Sequence, residues 1–242
     1  MKKFRHLLLD SRSVTEKIQI FTRLLLTFVM ISCSMLANFA TTSAAVIMTQ
    51  SQSDSVYPVS ATDLLHGIAP TSKAQIFDEE GLNSDTSGIS LTNGSFGPLG
   101  LTGANAEVSI IHNGGLLVYD LPFSTNIFEI ATYTGWRDSG RSKQDFTVSV
   151  STDSGLSWNF LYNVASEPGG MSQEVRLIDS VGAPLAVNIN AIKFEFWNTQ
   201  NGYVGYREID VFGSPAVPEP SMMVIGTLFG LGGLMAKRRM KK

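Results

Sequence analysis

Cysteine is almost missing: Cys33 is the only one in 242 residues. One thiol excludes an intrachain disulfide framework, so the fold must be held by its core. Histidine is nearly as scarce. Of the three, His6 lies in a basic N-terminal stretch, and His66 and His112 have no ligand-spaced neighbours. Neither Gly-x-Ser-x-Gly nor His-Glu-x-x-His occurs, which removes the signatures of the α/β hydrolases and the zincins. There is no tandem repeat. Acidic residues are plentiful enough that a carboxylate pair could always be assembled, so they say nothing of glycosidase chemistry.

Positive charge is missing from the middle of the chain. Residues 46–220 hold 7 Lys or Arg against 19 Asp or Glu, a net −12, while 1–45 carry +4 and 221–242 carry +5, which together give the net −3 of the whole. Such a body repels nucleic acid and anionic surfaces and tolerates Ca²⁺ or neutral glycans. Nucleic-acid binding is excluded on this ground. The run Asp78, Glu79 and Glu80 reads as solvated surface, because hard-cation loops alternate carboxylates with carbonyls.

The basic ends have separate meanings. At the N-terminus, Lys2, Lys3, Arg5, Arg12, Lys17 and Arg23 precede an apolar run from Leu24 to Leu36, and Ser43, Ala44 and Ala45 follow as small residues. That order is a signal peptide over 1–45, cut by signal peptidase near Ala45 or, second, near Ala40. Met30, Ile31, Ser32 and Cys33 make a loose lipobox, although apolar residues continue beyond it. At the C-terminus, Val217, Pro218, Glu219 and Pro220 precede an apolar stretch from Met222 to Ala236 and then Lys237, Arg238, Arg239, Lys241 and Lys242. Two prolines fix φ and withhold donors, so a helix begins near Ser221 and the segment before it stays extended. Fifteen residues rise only about 22 Å against a hydrocarbon core of about 30 Å. The transmembrane helix, 221–236, is therefore a short anchor, and the cations of the 237–242 tail hold the end on the cytoplasmic side. Gly226 and Gly230 form a GxxxG, a weak helix-packing signal.

The proline-glutamate-proline break, the Gly-rich apolar helix and the basic end together resemble the PEP-CTERM sorting signal of Gram-negative bacteria. The resemblance covers Val217–Lys242 and implies an exosortase as partner, a transient inner-membrane form and export to the cell surface or medium.

Between the flanks lie about 170 residues, enough for one domain and core. Phe146, Val148 and Val150 alternate with polar residues, as do Phe128 with Ile130, and Ile192 with Phe194 and Phe196. Further runs at 116–121, 158–164, 174–178 and 208–212 bring the predicted strands to about eight, divided by Gly, Pro, Asn and Asp. The expectation is an all-β fold, an antiparallel β-sandwich over 46–213, followed by a 214–220 linker. Residues 81–106 read as long loops across one end.

The stretch from Gly135 to Trp158, followed by Ile189 to Gly213, resembles the discoidin or coagulation factor 5/8 type C domain, a galactose-binding-like jelly roll. The carrying features are an Arg before an alternating strand, a Ser-x-Asp-x-Gly-x-x-Trp hairpin (Ser151, Asp153, Gly155, Trp158) and a closing Glu-Ile-x-Val-x-Gly strand. Asp63, Leu64 and Gly67 match faintly. The resemblance implies binding of glycans, lipids or protein surfaces through loops at one end, and a structural Ca²⁺ near the start. The disulfide that joins the termini in many animal members is missing, so strand pairing must close them. The same hairpin string equals the Asp-box of sialidase propellers, where it folds a turn; one copy cannot make a propeller.

Trp136, Arg137, Arg141, Trp197, Asn198, Asn201 and Tyr203 fall at loops or strand ends. Aromatic faces beside Arg and Asn donors suit stacking on a sugar ring and bonding its hydroxyls. Arg141 has a plainer alternative as a partner of Asp138 or Asp145, and Trp197 as core. The leading expectation is a non-catalytic module for exopolysaccharide or another glycan. A structural matrix or biofilm protein without a defined ligand comes second, and an enzyme acting on polysaccharide third.

Overall fold

A computed structural model describes residues 45–78, 84–99 and 107–216. The expected signal peptide, the Val217–Pro220 motif, the apolar segment and the basic end lie outside the described residues, as do Glu79 and Glu80.

Alternation puts every second side chain on one face of a strand, and the register shows the faces meeting. In β4 (Asp145–Ser151), Phe146, Val148 and Val150 lie opposite Phe196, Phe194 and Ile192 of β7 (Ala186–Phe196). Leu117 and Tyr119 of β3 (Ser109–Gly135) continue two of those rows, opposite Phe194 and Ile192. All eight are buried. β5 (Asn159–Ala165) pairs with β4 at the edge, with a bulge at Leu161 so that Tyr162 opposes Val148 and Phe160 opposes Ser149.

β3 serves both sheets. Up to Asp120 it pairs with β7 and with β2 (Ser72–Phe77), and its first residues, 109–112, also lie opposite residues 203–206. The bend at 121–124, where Pro122 lacks a donor, interrupts the ladder, and the second half pairs with β6 (Ser172–Asp179) and β8 (Tyr203–Pro215). Along this half the β8 partners descend from Pro215 opposite Thr125 to Tyr206 opposite Thr134, which is the antiparallel sense. β1 (Val46–Ser53) adds to the free side of β6. The result is an antiparallel β-sandwich whose sheets join through β3 and approach a barrel. Ile130, Val175, Leu177, Ile209 and Val211 of the second sheet share one apolar cluster with Phe146 and Phe194 of the first. Each such side chain, fully buried, contributes roughly 1.5–3 kcal/mol, which is how the domain does without disulfides.

Three expectations change. The predicted strands at 116–121 and 128–131 are halves of one bent strand, and β1 and β2 join the set. Phe128 is exposed because the β3–β8 register steps from Ile127 to Glu129 around it, so it does not share the inner face of Ile130. The stretch read as loops across an end is, in its described part, a plug: Leu91, in a 3₁₀ turn over Ile89–Thr92, belongs to the main core.

The two ends of the domain are each held by a neighbouring strand and not by each other: β1 pairs with β6 and β8 with β3. Ser180 N donates to Ala45 O (3.2 Å) beside the start of β1, and Ala216 N donates to Ser124 O (2.8 Å) beyond β8. Both ends of the domain thus leave it at the end marked by the β3 bend.

Candidate functional site

The β3–β4 loop (136–144) and the β7–β8 loop (197–202) meet at the other end. Gln200 links them: its Oε1 accepts from Ser142 N (3.2 Å) and Lys143 N (3.1 Å), and its Nε2 donates to Ser139 O (3.0 Å). Asn201 Nδ2 donates to Gly140 O (2.9 Å), and Asn198 Nδ2 to Asp145 Oδ2 (2.6 Å). Asn198 and Asn201 both take positive φ, at 48° and 50°, the left-handed region that Asn tolerates best among residues with a side chain. Asp145 is buried and also accepts from Lys143 Nζ and Ser166 N.

Beneath the loops lies a second apolar cluster of Val108, Ile110, Trp136 and Tyr203. Gly205 makes room for it, since a Cβ there would come within 2.7 Å of Trp136 Cε3. Trp136 packs edge-on to Tyr203 (5.7 Å between centroids), and the Arg141 guanidinium lies 4.0 Å from the Tyr203 centroid and 5.4 Å from that of Trp136. On the flank, His112 stacks near Tyr203 (5.3 Å) and meets exposed Phe77 edge-on (4.8 Å).

The sequence-predicted residues do come together, in different roles. Trp136 is only 5% exposed and Tyr203 8%, so neither presents an open face; both rings floor the loops, and Arg141 covers the face of Tyr203. The reading of these two as open stacking platforms is thereby corrected. Arg141 makes no ion pair with Asp138 or Asp145; Arg137 approaches Asp138 (3.9 Å) and Lys143 takes Asp145 (2.5 Å). Trp197 is half-buried, and Arg137, Asn198 and Asn201 are exposed. Three buried nitrogens, His112 Nε2, Trp136 Nε1 and Arg141 Nε, have no hydrogen-bond partner. Sequence reasoning missed Phe77 and His112, which lie far along the chain from both loops.

The Ser151–Trp158 string folds the β4–β5 turn. Ser151 Oγ donates to Asp153 Oδ1 (2.7 Å) and accepts from Gly155 N (2.9 Å), while Asp153 accepts from Ser157 N (2.9 Å) and Oγ (2.6 Å). The hydrogen bonds from Ser157 and Ser151 hold the Asp153 carboxyl down to about 2. Trp158 packs under Lys193 Nζ, 5.2 Å from its centroid.

One cluster of acids has metal-ligand character. Glu208 and Asp210, two apart on β8, share a face, and Asp63 joins them from the segment that crosses it; one oxygen of each lies within 4.8 Å of the others. Their second oxygens are engaged: Gly94 N donates to Glu208 Oε1 (3.0 Å), Ser60 N to Asp210 Oδ2 (2.9 Å), and Leu65 N (2.8 Å) and Val211 N (3.3 Å) to Asp63 Oδ1. Asp63 Oδ2, Glu208 Oε2 and Asp210 Oδ1 are buried without a partner. Burial, then mutual repulsion, pushes Glu208 up to about 9 and Asp210 up to about 7. Three buried carboxylates that bring one oxygen each within 4.8 Å of the others, each with an unpartnered oxygen, fit a Ca²⁺-class cation.

Fold and site together define a β-sandwich module whose polar and aromatic groups stand on one loop end. Solved structures similar to this chain include chitosan-binding module 1 from a chitosanase/glucanase of Paenibacillus sp. IK-5, at 16% identity over 62% of this chain and 98% of that one, with TM-score 0.43. CBM32-3 from a family 31 glycoside hydrolase of Clostridium perfringens shares 11% identity over 61% of this chain and 92% of that one, with TM-score 0.43. Allantoicase shares 17% identity over 66% of this chain and 45% of that one, with TM-score 0.45. At these values the likeness decides nothing about chemistry, which rests on this chain's own residues. No family model matches the chain, and no curated protein is significantly similar to it.

Proposed function

We propose that this is an exported, non-catalytic surface or secreted protein of a Gram-negative bacterium that binds exopolysaccharide or another glycan at its loop end. Its tail is held transiently in the inner membrane and cut near Val217–Pro220 by an exosortase. The tail sequence supports the sorting part. The observation that carries the binding part is the loop end itself, where a guanidinium stacks on buried aromatics and the two loops expose Arg137, Asn198 and Asn201, with exposed Phe77 on the flank beside His112. Planar apolar surface beside amide and guanidinium donors suits a sugar's apolar face and hydroxyls. Asp63, Glu208 and Asp210 join the Ser60–Leu65 and Gly94 segments to β8 and would hold a Ca²⁺-class cation, which would neutralise their charge there in a structural role.

The structural-matrix reading keeps one observation in its favour: the side chains of Asn198, Asn201 and Gln200 are already committed to tying the loops together. Retention on the host's exopolysaccharide separates the two. An aromatic–sugar contact contributes about 1 kcal/mol, so binding per copy is weak and multivalent display strengthens it. Arg137→Ala and Phe77→Ala are expected to reduce retention several-fold with little change in melting temperature. Unchanged retention in both, with loss in Phe160→Ala on the outer face of the β4–β5 sheet, would move the site there. The wild type showing no retention on any glycan would leave the matrix reading.

A further inference from the structure

The end of the sandwich opposite the charged loops is rimmed with exposed apolar side chains. Leu156 is 88% and Val181 82% exposed, and Phe123, Val187 and Ile47 are exposed as well. Hydrogen bonds show that they belong to one end. Ser180 N donates to Ala45 O, Leu185 N to Ile127 O, and Ala216 N to Ser124 O. Asn188 N donates to Asn126 Oδ1, and Ser154 N to Asn190 Oδ1, which brings in the turn that carries Leu156. Scattered apolar residues on a surface need no explanation. A rim of them on segments free of Lys and Arg, with Asp153 on the Leu156 turn and Asp120 before the bend as acids beside it, does.

The charge contrast is sharp. Residues 45–53, 121–128, 180–192 and 211–216 contain no Asp, Glu, Lys or Arg, whereas 137–145 at the opposite end holds Arg137, Asp138, Arg141, Lys143 and Asp145. The chain also leaves from the apolar end. Five residues lie between Ala216 and Met222, where the apolar segment starts, and the six steps of chain from one to the other, fully extended, span at most about 22 Å. With that segment in a bilayer, this end is held within the same distance of the lipid surface.

We propose that the rim is a lipid-contact face. In the tail-inserted form Phe123, Leu156, Val181 and Val187 enter the headgroup–acyl boundary of the bilayer, and the charged loop end points away from it. The occupant is the neutral interfacial layer rather than anionic headgroups, because the rim offers apolar area and no cation, and a body of net −12 is repelled by anionic lipid. The inference rests on reading Met222–Ala236 as membrane-inserted.

Depth measurements on the full chain test it. With Cys33→Ser as background, single spin labels are placed at Phe123→Cys, Val181→Cys, Ser139→Cys at the loop end, and Gly230→Cys in the apolar segment. The protein is reconstituted in phosphatidylcholine vesicles, and melting curves confirm that each labelled chain is folded. The labels at 123 and 181 are expected to favour oxygen over an aqueous nickel reagent several-fold more than the label at 139, unchanged by 1 M salt. If 230 sits at bilayer depth while 123 and 181 are as nickel-accessible as 139, the lipid-contact face is wrong and the anchor stands. A nickel-accessible label at 230 overturns the anchor reading, and the orientation with it. Dipolar broadening between labels at 123 would place a second copy on the rim and overturn the lipid assignment.

Discussion

Removing divalent cations at pH 8 is expected to lower the domain's melting temperature by several degrees, and acid is expected to erase the difference. Asp63, Glu208 and Asp210 each have one buried, unpartnered oxygen, and one oxygen of each lies within 4.8 Å of the others. Glu208 is raised from 4.5 to about 9 and Asp210 from 3.8 to about 7, first by burial. A carboxyl whose folded value is raised takes up a proton on folding. Its favourable contribution is complete below the ordinary value and is lost as pH rises through the folded one. The metal-free domain therefore loses stability progressively from about pH 4 to pH 9, and a bound cation restores it at the alkaline side. Three protein oxygens fall short of the six to eight that Ca²⁺ takes, so waters or carbonyls complete the shell and a Kd on the order of 10⁻⁴ M is expected. At about 10 mM Ca²⁺, near 100 times that Kd, linkage adds about 2.7 kcal/mol. For a domain of this size that is roughly 5–10 °C in Tm. Calorimetry in Ca²⁺ against EDTA at pH 8 and pH 5 measures it, with Glu208→Gln expected to flatten the pH dependence and abolish the Ca²⁺ gain. Equal Tm in Ca²⁺ and EDTA at pH 8, together with an unaltered pH slope in Glu208→Gln, would refute the reasoning.

Trp136→Ala and Tyr203→Ala each remove a buried ring from the floor of the loops and are expected to cost about 3 kcal/mol in chemical denaturation; near-neutral effects would show these rings to be open after all. Gly205→Ala places a methyl 2.7 Å from the Trp136 ring and 3.0 Å from Gly135 O, and is expected to cost about 1–3 kcal/mol, with double-mutant coupling to Trp136. A fragment spanning 45–216 is expected to melt in one cooperative transition, since both its ends pair with neighbouring backbone; a broad, non-cooperative trace would place the domain boundary elsewhere. Replacing Pro218, Glu219 and Pro220 by alanine lets a helix extend upstream, and is expected to leave an unprocessed, membrane-held form in an exosortase-bearing host. Identical mass and fractionation to wild type would refute that.

The strand faces were legible in the sequence because the period-two signal is local: Phe146, Val148 and Val150 declare their face without reference to any partner, and so do Ile192, Phe194 and Phe196. The hairpin of Ser151, Asp153 and Gly155 was legible for the same reason, its hydrogen bonds closing within five residues. The charge division and the Val217–Lys242 tail are likewise statements about contiguous residues. Partners decided the rest. Only the pairing of β3 with β7, β6 and β8 shows that two predicted strands are one, and only the register puts Phe128 outside and Ile130 inside. Trp136 and Tyr203 sit beside turn residues, as exposed side chains do, yet they are buried because Gly205 lets the indole lie on β8. Asp63 and Glu208 are separated by most of the domain, and nothing local marks either as a ligand. Their convergence exists because the chain crosses β8 at Leu64, where Leu64 N donates to Val211 O (2.8 Å), and a contact of that sequence separation is a property of the closed sandwich alone.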